Sequence, residues 1–576
     1  MAEYPASEAV SPTVAGGRLP LAAVLQLPRR VVLLVLAWVL SRVIIGGLVA
    51  GLAGAQPGGA AAVNWAVSRV QNPMLVAEIV AERLPNTLLL VGAAMGLALA
   101  LALILALVAV LVHRLEDRAG PLGSVLKGLG RIVCFAPAAL PAWGLGVVLV
   151  YFLAFRWQLL PAVGMATVGE APNAADTLRH LGLPALALAA LPAVATAQAA
   201  ARELTLPRAP GGARRGPAGL LRALGTLLGQ SGGVVGAAVL VETAFAWPGL
   251  GRAVAEGLLR KDYPVLLGAL TALTLFILVG RLAAELFRWL ERLVRKEPEP
   301  AAPAPWRLRA RKVYVVAALG LLLVPFGLAA AGVFSSPEAV LRTDTAVRSQ
   351  EPSPEHPWGT DAQGRDIQAR VLRGTLLSLS AAVIGAIGAV LVGGGYGVLA
   401  GYLSSQRTLL GESLSDVLLW PADVALYLPA LPAALLVARR LPAADAPTEV
   451  NWLPVLGAVA LALLPRTIRA AQTLWLGRAP GQTGALLDGL GALFAGAVLF
   501  GLGIGATVDY VGVGMQPPTP ALGSLLRDGM NALQTNVVAL WAPLLALWAC
   551  ALALYLAADA LIGYFQEKTV LARLNE

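Results

Sequence analysis

Apolar runs long enough to cross about 30 Å of hydrocarbon at about 1.5 Å per helical residue recur along the chain. Six lie near residues 30–54, 86–112, 131–155, 182–200, 224–246 and 264–290; six more lie near 313–334, 374–402, 414–438, 451–470, 485–511 and 536–563. This pattern predicts an all-α integral membrane protein of about twelve transmembrane helices in two groups of six. Between the groups runs Arg292 to Lys312, RLVRKEPEPAAPAPWRLRARK, with basic clusters at both ends and a Pro/Ala/Glu centre. Such a centre cannot continue a helix and stays extended. The expected division is a tail at 1–29, a first domain at 30–291, a linker at 292–312 and a second domain at 313–576.

Composition agrees with a bilayer environment. Of 576 residues 58% are hydrophobic and 13% charged, and the mean hydropathy is +0.74, far from the values of soluble domains. The net charge of +10 does not signal nucleic acid, because the basic residues sit in short clusters between apolar runs. The first 20 residues lack a charged segment followed by a short apolar one, so no cleavable signal is expected and the first span directs insertion. With a cytoplasmic N-terminus, basic residues at 113–131 (Arg114, Arg118, Lys127, Arg131), at 202–222 and in the linker fall inside. Arg439, Arg440 and the group Arg365, Arg370, Arg373 fall outside in that arrangement. The expected location is therefore the cell membrane, multi-pass, with both termini cytoplasmic.

The chemistry of an enzyme is not visible. No GxxxxGK[ST] loop occurs, since Glu567 precedes Lys568-Thr569 where glycine is needed, so the chain is not expected to hydrolyse ATP itself. Neither H-E-x-x-H nor C-x-x-C appears. Cys134 and Cys550 lie in apolar runs and read as small core residues, and His113, His180 and His356 are too scattered to suggest a metal. No catalytic, cofactor or metal residues are expected.

Several strings carry more information than the apolar runs. The first half contains ERLPNTLLL (Glu82 to Leu90), FRWQLLPAVGM (Phe155 to Met165), LRHLGLPALAL (Leu178 to Leu188) and VETAFAWPGLGRAVAEGLLRKDYP (Val241 to Pro264). The second contains HPWGTDAQGRDIQARVLRGTLLSLS (His356 to Ser380), AGYLSS (Ala400 to Ser405) and VGVGMQPPTPALG (Val511 to Gly523). These strings closely resemble permease subunits of ABC importers of the dipeptide/oligopeptide/nickel class, B-type in the first half and C-type in the second. The resemblance covers roughly residues 20–295 and 310–570.

The resemblance implies two six-helix type I importer permease domains fused in one chain. Together they would form a pathway for peptides or related small solutes. It also implies separate ATPase subunits on the cytoplasmic side, which use the ATP, and an extracytoplasmic substrate-binding protein. Candidate outer-face residues are Glu242, Trp247, Pro248, Gly249, Gly251 and Asp262 in the first half. In the second half they are His356, Gly359, Asp361, Gly364, Arg365, Asp366, Asp509, Gly512, Gly514, Pro517 and Pro518. Candidate ATPase-coupling residues are Arg202, Glu203, Arg214, Arg215 and Arg222 between the fourth and fifth spans of the first half, and Arg466, Arg469 and Arg478 in the second.

The chain departs from the family at these coupling loops. Ala199 to Gly225 is interrupted by Pro207, Pro210 and Pro217, and Arg466 to Gly489 is shorter still. Glu242 is kept, whereas Gly505 stands where related permeases commonly carry glutamate. Two other readings therefore stand beside the transporter: a permease-derived scaffold without ATP coupling, and an ion-coupled secondary transporter.

Overall fold

The computed structural model describes residues 21–54, 64–71, 74–167, 169, 173–205, 215–294, 312–406, 408–427, 430–440, 452–477, 483–533 and 535–574. In chain order the helices of the first half are α1 (Leu21–Gly54), α2 (Val76–Ala139), α3 (Ala142–Leu149, continued by a π-helical stretch, Val150–Arg156), α4 (Ala174–Thr205), α5 (Arg215–Gly229), α6 (Ser231–Ala244), α7 (Leu250–Leu259) and α8 (Tyr263–Val294). The second half comprises α9 (Lys312–Gly320), α10 (Leu323–Val333), α11 (Pro337–Leu341), α12 (Ile367–Ala389), α13 (Gly395–Ser405), α14 (Leu409–Tyr427), α15 (Ala430–Arg440), α16 (Leu453–Gly477), α17 (Thr483–Val511), α18 (Leu522–Asn531) and α19 (Val538–Leu574). Most of the linker, residues 295–311, lies outside the described residues.

Among the described residues, nine helices are long and apolar enough to cross a membrane, or ten if the bent pair α5–α6 is one span. All ten fall on expected runs. The run at 131–155 is divided at Leu140 and Pro141, where α2 stops, and contributes the shorter apolar helix Ala142–Arg156. The run at 414–438 is divided between α14 and α15. Two further boundaries differ from expectation. Helix α1 begins at Leu21, inside the expected tail. The basic segment 113–131, expected as a loop, is part of the 64-residue α2, because charge excludes a segment from hydrocarbon without stopping it from being helical.

Helices in lipid gain little by hiding apolar surface from one another, so close packing of small residues draws them together. Helices α2 and α4 meet along alanines: Ala98, Ala102 and Ala106 on one and Ala189, Ala193, Ala197 and Ala201 on the other are all buried. The four-residue spacing puts each set on one helix face. Larger residues of α2, including Leu103, Ile104 and Leu107, remain exposed, as suits faces turned to lipid. In the second half Gly393 and Gly397 let the α12–α13 helix cross α16 closely. A Cβ at either position would run into the Thr467 hydroxyl or the Ile468 carbonyl.

The halves are joined by aromatic residues. Trp143 of α3 stacks on Tyr510 of α17 at 4.4 Å between ring centroids, and its indole N–H donates to Thr507 Oγ1 at 2.8 Å. Tyr151 and Phe152 meet Trp541 of α19 at 4.8 and 5.6 Å. Replacing Trp143 with Ala removes a fully buried ring and is expected to destabilise the chain by about 3–5 kcal/mol, against about 1 kcal/mol for Thr507→Val, which loses only the hydrogen bond. Thermal unfolding in detergent checks this, and equal midpoints for the two variants would mean that the ring contact contributes nothing.

Candidate functional site

Four strings of the first half, far apart in sequence, converge on the turn between α6 and α7. Trp247 is fully buried in a cluster with Leu90, Val91, Leu181, Leu183, Leu188, Val241 and Phe245, against which Leu160 and Met165 pack. Its indole N–H donates to the Asn86 carbonyl at 3.0 Å, and the Asn86 amide donates to the Pro248 carbonyl at 2.9 Å. Gly164 N–H donates to the Phe245 carbonyl at 2.8 Å.

Beneath the tryptophan lies Glu242, fully buried. The Thr87 hydroxyl donates to its Oε1 at 2.8 Å, and the Arg252 backbone N–H donates to its Oε2 at 3.0 Å. Thr87 Oγ1 also accepts from the Leu250 N–H at 2.7 Å. Together Glu242 and Thr87 satisfy N–H groups of the first turn of α7, where a negative charge is favoured by the helix dipole. Gly251 permits this approach: a Cβ there would stand 2.6 Å from Val239 Cα and 2.9 Å from Glu242 Oε2. Further along, Glu256 accepts from Arg252 at 2.8 Å and from Arg83 at 3.1 Å. Burial pulls the Glu256 carboxyl upward, but the hydrogen bonds and charges of Arg83 and Arg252 prevail and hold it below its ordinary value. Asp262, also buried, accepts from Ser68 Oγ and from the N–H groups of Arg69 and Val70. The partners Thr87, Asn86, Arg83 and Ser68 were not singled out by sequence. Only the string Glu82 to Leu90, which holds the first three, pointed to them.

The second half builds a related end from different residues. Asp509 is buried two residues before α17 ends, and its Oδ1 accepts from the Met515 N–H at 2.8 Å. Gly512 takes a φ of +90°, and a Cβ on Gly514 would collide with Asp509 Oδ1. In each half a buried carboxylate thus abuts the second glycine of a G-x-G turn. Counted back from that turn, Gly505 matches Glu242, and Asp509 stands four residues later, one turn along the same helix face. The second half thus holds its buried carboxylate one helical turn nearer the glycines.

The His356 to Ser380 string forms a knot before α12. Asp366 caps α12 by accepting from Ala369 N–H at 2.7 Å and pairs with His356 at 2.9 Å. Asp361 holds Arg365 at 2.7 Å, and Gly359 and Gly364 take φ of +76° and +75°. Asn536, between α18 and α19, donates to the Thr360 carbonyl of the knot at 2.9 Å, and the same string reaches the Val511 to Gly523 region through Ser378, which accepts from Leu522 N–H at 3.1 Å. Pro517 and Pro518 lie in the connection before α18. AGYLSS is not part of this site: Ser415 of α14 donates to its Ala400 carbonyl at 2.9 Å and accepts from its Ser404 at 2.7 Å.

The expected coupling residues separate into three groups. Arg214 and Arg478 lie outside the described residues. Arg202 and Glu203 are in the last turns of α4, and Arg215 and Arg222 in α5. Arg222 bridges Glu203 at 3.0 Å and Glu291 of α8 at 2.9 Å, with both carboxylates largely buried. Arg466 and Arg469, expected in a loop, are instead inside α16. The resemblance places the start of a coupling loop at Arg466, but α16 runs on to Gly477, and the Arg466 guanidinium lies 4.5 Å over Phe500.

Glu242→Ala is expected to lower stability by about 3 kcal/mol, because the buried donors of Thr87 and Arg252 lose their acceptor. Thermal unfolding in detergent tests it, and a midpoint unchanged from the parent chain would contradict the assigned role. A lowered carboxylate pKa contributes stability above the group's ordinary value of about 4.3, and that contribution disappears as pH falls through the lowered folded-state value. Glu256→Gln is therefore expected to flatten the fall in unfolding temperature below about pH 5 relative to the parent chain. Parallel pH curves would contradict the ion-pair account.

Residues 216–296, which span α5 to α8 and so include the Glu242 turn, match the family of binding-protein-dependent transport system inner membrane components. The chain is 27% identical over 269 residues to the dipeptide transport system permease protein DppC of Alkalihalophilus pseudofirmus, covering 41% of this chain and 84% of that one. It is 25% identical over 242 residues to the oligopeptide transport system permease protein AppB of Bacillus subtilis, covering 39% and 73%. Over 187 residues it is 29% identical to the dipeptide transport system permease protein DppB of Escherichia coli, covering 26% and 55%. Set beside the membrane-spanning helices and the buried-carboxylate turn inside the matched segment, these similarities identify the chain as a permease component of a binding-protein-dependent ABC transporter.

Proposed function

We propose that the chain carries two permease units in one polypeptide, B-type-like at 30–291 and C-type-like at 313–576, lining one pathway for peptides or related small solutes. The observation that carries this reading is that each half ends its fifth helical run in a buried carboxylate against a G-x-G turn, and then enters a ten-residue helix, α7 or α18. The lengths fit as well: an alignment that covers 84% of a relative takes up 41% of this chain. The peptide substrate class is drawn from the relatives' names. The residues themselves, mainly Ala, Gly, Leu and Val in the spans, do not define a solute.

In this arrangement the end bearing the G-x-G turns faces outward and receives solute from an extracytoplasmic binding protein. The opposite end, with the Arg222 bridge, the linker and both termini, faces the cytoplasm and meets two ATPase subunits. ATP is used by those subunits. A second reading, a permease-derived scaffold, draws support from the same bridge. By tying α4, α5 and α8 together, Arg222 holds the region of the expected coupling loop in an internal network.

Reconstitution in proteoliposomes with candidate ATPase and binding-protein subunits distinguishes the two. A transporter is expected to co-purify with the ATPase and to show ATP hydrolysis stimulated several-fold by the solute-loaded binding protein. Absence of ATPase binding in every nucleotide state would overturn the transporter reading in favour of the scaffold.

A further inference from the structure

Beyond α3 the first half exposes large rings on an ordered backbone. After the π-helical stretch Val150–Arg156 the chain closes on itself: Trp157 N–H donates to the Phe152 carbonyl at 2.9 Å, and those of Leu159 and Leu160 to the Leu153 carbonyl at 2.8 and 3.2 Å. Gln158 reverses the chain there with a φ of +51°, the left-handed conformation that commonly follows a helix end. Leu160 is folded back on α4, its Cδ1 3.3 Å from where a Cβ on Gly182 would stand. Phe155, Trp157, Leu159 and Val163 are nevertheless exposed, Trp157 by 58%, so this ordered apolar surface needs a cover from outside the chain.

The rings belong to a cluster that reaches the second half. Trp157 lies 5.6 Å from Phe152 and Phe155 6.0 Å from Tyr151, and Phe152 and Tyr151 are the two rings that meet Trp541 of α19. The apolar helix Ala142–Arg156 ends at this rim, and the span Val538–Ile562 begins there. The exposed surface continues apolar along the spans, with Leu178 and Leu191 on α4 and with Leu545 one turn from Trp541 on the same face of α19. Exposed rings at the end of an apolar span suit the membrane–water interface, where the body of the ring lies in hydrocarbon and its polar edge among headgroups. Arg156, exposed between Phe155 and Trp157 in sequence, adds a guanidinium suited to a headgroup phosphate.

We propose that Phe155, Arg156, Trp157 and Leu159 form an interfacial anchor seated in the phospholipid headgroup layer. Through Tyr151, Phe152 and Trp541 the anchor fixes the junction of the two halves at the level of the bilayer surface. It also reaches the Glu242 turn, because Leu160 and Met165 pack on the Trp247 cluster and Gly164 N–H bonds the Phe245 carbonyl. The inference rests on the membrane-spanning helices and not on transport. An extracytoplasmic binding protein covering the same rings is the outcome against which it is tested.

The test reads depth at the ring position. In the full chain with Cys134 and Cys550 changed to Ala, Trp157→Cys is labelled with the environment-sensitive fluorophore NBD and reconstituted in vesicles of phosphatidylcholine and phosphatidylglycerol. Its emission is expected to be blue-shifted, and lipids carrying a nitroxide near the ester carbonyls should quench it several-fold more than lipids carrying one near the acyl tail ends. Glu355→Cys, exposed in the knot before α12, is expected to emit as in water and to resist both lipids. Water-like emission at position 157, quenched by a soluble nitroxide and by neither lipid, would overturn the proposal. So would emission that turns blue only when a candidate binding protein is added.

A second measurement needs no label and leaves both cysteines in place. The difference in fluorescence between the parent chain and Trp157→Phe isolates that ring. In vesicles of lipids brominated near the ester carbonyls this difference is expected to shrink several-fold. A difference spectrum unaffected by bromination would place the ring in water or under protein and overturn the anchor.

Discussion

The end of the molecule that bears the family strings depends on one buried carboxylate meeting the start of a helix. Glu242 ends α6 and begins α7 at once: its side chain accepts from Thr87 and from the backbone of Arg252. In an environment that lacks water, a turn between helices leaves N–H groups that the chain must satisfy from within. Here that requirement draws α2, through Thr87 and Asn86, onto the turn. Trp247 then closes over it and gathers the 155–165 and 178–188 segments. The glycine of the turn is dictated by the same contact, since a Cβ on Gly251 would occupy the place of the Val239 backbone.

The second half solves the same problem one helical turn later. Here α17 ends at Val511, residue 505 is glycine, and Asp509 serves the backbone of Met515 from a shorter side chain. The turn that follows is longer and delays α18 until Leu522. The two ends are thus alike in their physics and unlike in detail. Their meeting is asymmetric too: Trp143 and Tyr151 of the first half find Tyr510 and Trp541 of the second.

Much of the architecture was legible in the sequence because hydropathy reports the cost of exposing backbone and charge to lipid. The order of the spans and the G-x-G turns followed from it and from the strings. What hydropathy does not report is where helices stop. The 113–131 segment is too charged for hydrocarbon yet helical, and the run at 131–155 is parted at Pro141. The resemblance assigns Arg466 and Arg469 to a coupling loop, whereas α16 carries the helix past both to Gly477. The partners of Glu242 and Asp262 were hidden for another reason: Thr87 and Ser68 lie more than 150 residues away in sequence. The alanine seam between α2 and α4 had a visible four-residue spacing, but in a chain so rich in alanine it does not stand out.

On the proposed reading, the two permease units within one polypeptide form a complete membrane core without a second copy. Native mass spectrometry of the chain reconstituted with candidate ATPase subunits measures that directly. The account requires one copy of this chain for every two ATPase subunits. Two copies of the chain per ATPase pair would show that the halves do not form a pathway with each other, and would contradict it.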